Sequence, residues 1–344
     1  VRLESTCAVT TLDKFNNNEK IMWQKPWNLR EGIAIGCGLL VIGAILQFIT
    51  GGILWQLFAF PANALALLIY LLLIGVAYWM REKVYFIRYL MSTKSAATSM
   101  LFVVGLTFIM GLTRQVPSGN KAVDHIGLTN MLSFWPFVLI YLWMTTTVGL
   151  ATLQRLVHFK KQRFASVISH LGLFIVIVCG TLGSADIQKL KMYCMAGEAE
   201  WRAMDEHGHL KELPIAIELH RFILEKYPAE LQKVRADKGQ TTMMKIPTPK
   251  RYASDVEIYT EEGGYYKTTI EVNKPFSVNG RKIYQFSYDE RFGKNRTVSI
   301  FELITDPWLP FVYIGIGMML LGALLMFFRF GKETLKDRKE NDYL

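Results

Sequence analysis

The sequence predicts a membrane protein with six transmembrane α-helices and a large external β-rich domain inserted between helices 5 and 6. Three observations carry that expectation. The 344 residues are 51% hydrophobic and 13% aromatic, with a mean hydropathy of +0.21, unlike an ordinary soluble domain. Six apolar stretches are long enough to cross about 30 Å of hydrocarbon at about 1.5 Å per residue. The long segment 185–308 instead carries strand and turn signals.

Residues 1–30 are polar and Asn-rich, and are expected to form a cytoplasmic segment. The first span, 31–50, contains GIAIGCGLLVIGAILQFIT and is followed by no small-residue cleavage pattern, so it reads as a retained helix rather than a signal peptide. The next spans are expected at 57–80, 96–113, 132–153 and 165–183, with the last at 309–328. This divides the chain into a helix pair over 31–80, helices 3–5 over 81–184, the β-rich domain over 185–308, a final helix over 309–328 and a basic cytoplasmic tail over 329–344.

Orientation follows from the cations. Lys14, Lys20, Lys25 and Arg30 precede the first span, Arg81, Lys83, Arg88 and Lys94 follow the second, and Arg155, Lys160, Lys161 and Arg163 follow the fourth. Arg329, Lys332, Lys336, Arg338 and Lys339 follow the last. The positive-inside rule puts all of them, and both termini, in the cytoplasm. Segment 185–308 balances 19 Lys plus Arg against 19 Asp plus Glu, so the net charge of +10 lies outside it. The basic balance is therefore a topology signal that suits anionic lipid headgroups, with no nucleic-acid partner expected.

Cys37 and Cys179 fall within spans and read as small hydrophobes, Cys7 lies in the leader, and Cys194 is the one thiol of segment 185–308. No disulfide within that segment follows, and no Cys-x-x-Cys-His motif is present. Trp55, Trp135 and Trp308 fall at expected outer boundaries, where an aromatic belt accounts for them. Glycines inside the spans, among them Gly32, Gly36, Gly315, Gly317 and Gly322, suggest close helix packing.

Within 185–308, DVEIYTEEGGYYKTTIEV, KPFSVNGRKIYQFSYDE and RTVSIFELI read as strands punctuated by Gly263-Gly264 and Asn279-Gly280. Asn-Gly supplies the two positive φ angles of a type I′ turn, so VNGR is expected to reverse one strand onto the next. LPIAIELHRFILEKYP is also strand-like, and the polar stretch from Pro228 to Arg251 reads as a long loop. An antiparallel sheet or sandwich is the expected outcome.

One ionisable side chain interrupts ISHLGLFIVIVCGTLGS, residues 168–184: His170. Its depth favours neutral imidazole, a competent iron ligand. Ser169, Gly172, Val176, Cys179 and Gly183 make a small-residue stripe suited to helix contact, while His170 shares another face with Phe174, Ile177 and Thr181. That apolar face suits a porphyrin edge, a lipid or another helix. On the residues alone, an interhelical hydrogen bond and a ligand role both stay open.

The order of features resembles the ResB family, also called CcsB, membrane components of system II cytochrome c biogenesis. The resemblance rests on GLTRQVP, SFWPFVLIYLW, SHLGLFIVIVCGTLGS, LPIAIELHRFILEKYP, TTIEVNKPFSVNGRKIYQFSYD and DPWLPFVYIGIGMMLLGALLMFF, roughly residues 96–330 in order. Two departures stand out: residues 31–80 form an added N-terminal helix pair, and Trp308 stands where a small residue is more usual. The resemblance implies a ResB-like component that helps to receive or translocate haem and presents apocytochrome c for covalent attachment on the outer side. It implies a ResC/CcsA-like membrane partner, placement in a bacterial inner membrane, and membership of a haem-lyase complex rather than activity alone. It also implies haem as a transient cofactor, with His170 as the cofactor-binding residue and haem-iron ligand and no catalytic residue assigned. The remaining histidines, 125, 158, 207, 209 and 220, read as surface or structural, without the spacing of a zinc site or a hydrolytic triad. The alternatives are a haem b or quinol-linked electron-transfer subunit, disfavoured because paired axial ligands are absent, and a non-catalytic membrane scaffold.

Overall fold

The structure, a computed structural model, describes residues 23–116, 122–124, 126–159, 164–228, 230–235, 241–246, 248–289 and 298–341, with backbone alone for 230–246 and 329–341. The readings that rest on Cys7, Lys14, Lys20, His125, Lys160, Lys161 and Arg163 lie outside the described residues. The chain divides into two units, one formed by Val1–Ala185 with Leu309–Leu344, the other by Asp186–Trp308.

The first unit is helical: α1 (Leu29–Thr50), α2 (Ala62–Trp79), α3 (Tyr85–Leu90), α4 (Thr93–Leu112), α5 (Trp135–Val157), α6 (Phe164–Gly183) and α7 (Leu309–Asn341). All except the short α3 are long and apolar enough to cross a membrane. Local chemistry sets their ends. At the start of α1 the Asn28 N–H donates to Glu31 Oε2 at 2.7 Å, and at the start of α4 Ser92 Oγ accepts from the Ser95 N–H at 3.3 Å, each satisfying a backbone donor that a helix terminus leaves over. The second span begins later than the expected residue 57. Trp55–Phe58 is an isolated 3-10 turn, and α2 starts only after Pro61, which fixes φ and has no N–H to continue a preceding helix. The last helix outlasts its apolar run and continues to Asn341, because Lys, Glu and Arg are good helix formers and the end of hydrophobicity does not end the helix.

Polar side chains inside these helices bond to their own backbone. Thr107, Thr145, Thr147 and Thr181 donate to the carbonyls four residues back at 2.7 to 3.0 Å, and the Trp143 indole donates to buried Ser95 Oγ at 3.1 Å. That is what an apolar surrounding demands of a hydroxyl. Ile74, Tyr78, Leu90, Ile140, Trp143 and Leu150 form the core. α1 packs on α4 and α5, so the N-terminal pair is built into the same bundle. All three boundary tryptophans have specific partners: Trp55 Nε1 donates to the Leu132 carbonyl at 3.0 Å, Trp135 Nε1 to Thr50 Oγ1 at 2.6 Å and Trp308 Nε1 to Asp186 Oδ2 at 2.7 Å.

The second unit, which follows α6 and precedes α7 in chain order, is antiparallel β. Its strands are β1 (Gln188–Met195), β2 (Ala199–Met204), β3 (Leu210–Lys226), β4 (Glu230–Arg235), β5 (Thr241–Ile246), β6 (Pro249–Thr260), β7 (Tyr265–Glu271), β8 (Phe276–Val278), β9 (Arg281–Asp289) and β10 (Val298–Thr305). Eight of them form one sheet in the order β7-β6-β3-β2-β1-β10-β9-β8, and β4 pairs with β5 separately. The reading of Pro228–Arg251 as a loop is therefore corrected: it holds a hairpin registered Glu230 to Ile246 and then the start of β6. Its strands alternate apolar and polar residues too weakly to announce themselves, and backbone pairing makes them. The Asn279-Gly280 turn forms as expected, with φ of 46° and 73°, and sets Val278 opposite Arg281.

Alternation along the strands builds the interior. Leu190, Met192, Cys194, Ile215, Ile217, Leu219, Val256, Ile258, Ile270, Ile283, Phe301 and Leu303 are all buried in one cluster. The large sheet curls on itself, since Ser254 of β6 hydrogen-bonds Gln285 of β9 at 2.6 Å and Ser299 of β10 at 2.7 Å, strands far apart in the sheet order. These buried polar atoms satisfy one another. Burial of Cys194 in this apolar interior raises its thiol pKa far above the usual cysteine value.

Candidate functional site

His170 lies in the second turn of α6 and is half-buried. Its Nδ1 is 2.8 Å from the Ser166 carbonyl oxygen. A carbonyl only accepts, so Nδ1 must carry the proton, and in the neutral ring the lone pair is left on Nε2. Among the described residues Nε2 makes no hydrogen bond. The backbone around the ring is tied to α5: buried Thr152 Oγ1 donates to the His170 carbonyl at 3.2 Å, and Arg155 Nε to Ser166 Oγ at 3.3 Å. Elsewhere in the helical unit, Gln154 of α5 helps Arg81, Glu82, Arg88 and Met91 to line an open cavity of about 630 Å³, which His170 does not line.

The two faces of α6 take different neighbours. The small-residue face meets α7: a Cβ on Gly172 would lie 2.5 Å from the Gly315 carbonyl oxygen, and one on Gly315 2.8 Å from that of Gly172. Only glycines permit that approach. Gly322 likewise lies against Ala165 and Ser169, whereas Gly317 faces open space and does not share the packing role expected of it. The face bearing Phe174 and Thr181 is covered by protein. Phe174 stacks on Tyr70 of α2, with ring centroids 6.4 Å apart, and Thr181 Oγ1 bonds the Tyr141 hydroxyl of α5 at 3.2 Å. The imidazole itself is thus held by protein through Nδ1, with Nε2 left available.

The other described histidines separate. His158 ends α5 with Nδ1 3.3 Å from the Tyr78 hydroxyl, and the His207 and His209 rings lie 6.3 Å apart beside Asp205. His220 has acquired company that its sequence neighbourhood does not show. Its Nε2 is 3.1 Å from Glu257 Oε1, and with Glu218 these two form a group whose potential ligand atoms all lie within 4.8 Å. Glu257 is 37 positions from His220, so only the β3–β6 register could have revealed this.

Six spanning-length helices, one of them carrying a tautomer-fixed imidazole, with an antiparallel β unit interrupting the chain before the last helix, define a multi-span helical protein with an inserted sheet. Residues 160–300, a stretch that includes His170 and most of the sheet, match the model of the ResB-like family. Among solved structures it is similar to one titled Cytochrome c Heme Lyase CcmF, at 13% identity and a TM-score of 0.32, with 87% of this chain covered. The match takes in 46% of that structure's chain, and a likeness so low bears on neither fold nor function. No curated protein sequence matches the chain.

Proposed function

We propose that this chain is the ResB-like component of a system II cytochrome c biogenesis complex, working with a ResC/CcsA-like partner in a bacterial inner membrane. It receives haem through His170 near the cytoplasmic side and presents apocytochrome c to it outside. The ResB-like match supports the pathway, and the charge distribution supports cytoplasmic termini with Asp186–Trp308 outside. The observation that carries the residue-level reading is the pinned tautomer. A ring whose Nδ1–H is held by a backbone carbonyl offers Nε2 as a more basic and correctly aimed donor, the arrangement typical of metal-ligating histidines. Haem is cargo here, and bond formation to the cytochrome thiols belongs to the assembled complex.

The test is co-purification of the chain with its partner, followed by an absorbance spectrum. His170→Ala is expected to lower haem per complex and holocytochrome yield at unchanged protein level and partner retention. One lost intramembrane hydrogen bond weakens folding by only about 0.6 to 2 kcal/mol. Unchanged haem content in a properly assembled variant reduces His170 to helix packing.

A further inference from the structure

The outer face of the β unit gathers a second set of donor atoms, with no dependence on haem handling. Glu218 of β3 stands directly opposite Glu257 of β6, a like-charge cross-strand pair that costs stability unless something positive lies between. A register irregularity between Leu219 and Arg221 follows at once, and bulges of this kind re-aim side chains. His220, at that irregularity, turns its Nε2 to 3.1 Å from Glu257 Oε1. In a tetrahedral zinc site with bonds of about 2.0 to 2.1 Å, neighbouring ligand atoms lie about 3.3 Å apart. As it stands that contact is an Nε2–H···O bond, so ligation requires the ring to carry its proton on Nδ1 instead; the two atoms are then spaced as one edge of such a polyhedron, and the Glu218 carboxylate lies within 4.8 Å. Tyr259 OH bonds Glu218 Oε2 at 3.1 Å and Glu257 Oε2 at 2.9 Å, holding both carboxylates as an outer-shell residue would.

We propose that Glu218, His220 and Glu257 form a binding site for a divalent first-row transition ion of the zinc class, with Lys267 as the resident counter-ion that the metal displaces. Lys267 Nζ sits 3.0 Å from Glu257 Oε1, but its side chain is 72% exposed, so the ammonium can return to water at little cost. With neutral imidazole, two carboxylates and one ammonium leave the cluster one charge short of neutrality. Exchanging the ammonium for a dication closes that gap. One nitrogen and two oxygens suit zinc, copper or nickel better than magnesium or calcium, and three protein donors leave a position for water.

The experiment uses the full chain in detergent without a histidine tag, Co²⁺ as the optical probe and Zn²⁺ as competitor. One Co²⁺ per chain, displaced by Zn²⁺ and not by Mg²⁺, is expected. His220→Ala and Glu257→Gln should each weaken binding by more than about tenfold, the loss that even outer-shell changes produce. Glu218→Gln serves where either variant fails to elute as folded protein. Lys267→Met should bind more tightly than the wild type, an outcome that a purely structural ion pair would not produce. Equal uptake by the wild type and the ligand variants, or no gain on Lys267→Met, overturns the site.

Discussion

In the helical unit Phe48, Leu112 and Phe327 are 80, 73 and 74% exposed, whereas in the β unit Met192, Ile217 and Phe301 are fully enclosed. The two regions apply one rule to opposite solvents. The six spanning helices turn apolar side chains outward to hydrocarbon and keep hydroxyls on their own carbonyls, so their mutual contacts depend on small residues and fit. The sheet turns apolar side chains inward and sets its charges on the outside, where Arg221 pairs with Asp255 at 2.8 Å and Lys267 with Glu257 at 3.0 Å. Its stability comes from burial in the ordinary aqueous sense. A substitution should therefore act on what each region relies on.

The largest effect is expected from Phe301→Ala, which empties a fully buried position of the sheet and should cost about 3 to 5 kcal/mol. Limited proteolysis of the full chain would show early cleavage within 186–308, while Phe327→Ala on the exposed helical surface would leave the pattern unchanged. Equal sensitivity of the two would break the contrast between hydrocarbon-facing and water-excluded surfaces. Next is Gly172→Ile. It drives a side chain into the Gly315 backbone and should destabilise by about 1 to 3 kcal/mol, the usual cost of overpacking, read as a lower aggregation temperature in detergent. Gly317→Ala meets nothing within 4 Å and should be neutral.

The smallest effect concerns pH. The Glu257 carboxyl is held from the ordinary 4.5 down to about 2, chiefly by Lys267, and Arg221 and Thr269 hold Asp255 below its usual range, with Thr269 contributing most. Because the folded values are depressed, the stabilisation is present in full above the unfolded pKa and is lost as pH falls through the folded one. The urea midpoint of the β unit should decline from about pH 4.5 toward 2, and Glu257→Gln should flatten that decline. A wild-type profile without slope in this window would remove the exterior charges from the account.

The spans were legible because about twenty apolar residues in a row have few other uses, and the β8–β9 turn because Asn279-Gly280 tolerates positive φ. β1 and β2 were not read, although Leu190, Met192 and Cys194 alternate with polar neighbours. The register of β1 is completed by β10 more than a hundred positions later, a pairing that no local window contains, and β2 pairs with β1 and β3. The same distance hid the Glu218–Glu257 apposition. His170 stood out as the lone ionisable group in its span, but its tautomer depends on how the ring turns toward Ser166, which spacing alone leaves open.

β1 and β10 run side by side from Gln188 and Thr305, and just beyond them Trp308 Nε1 donates to Asp186 Oδ2 at 2.7 Å. The first and last residues of the β unit are therefore clasped to each other, at the spacing of neighbouring strands, about 5 Å. To the polypeptide on either side, more than a hundred residues occupy no more room than a tight turn. The unit is a cassette, which a helical chain can accept or give up at this one junction without stretching what flanks it.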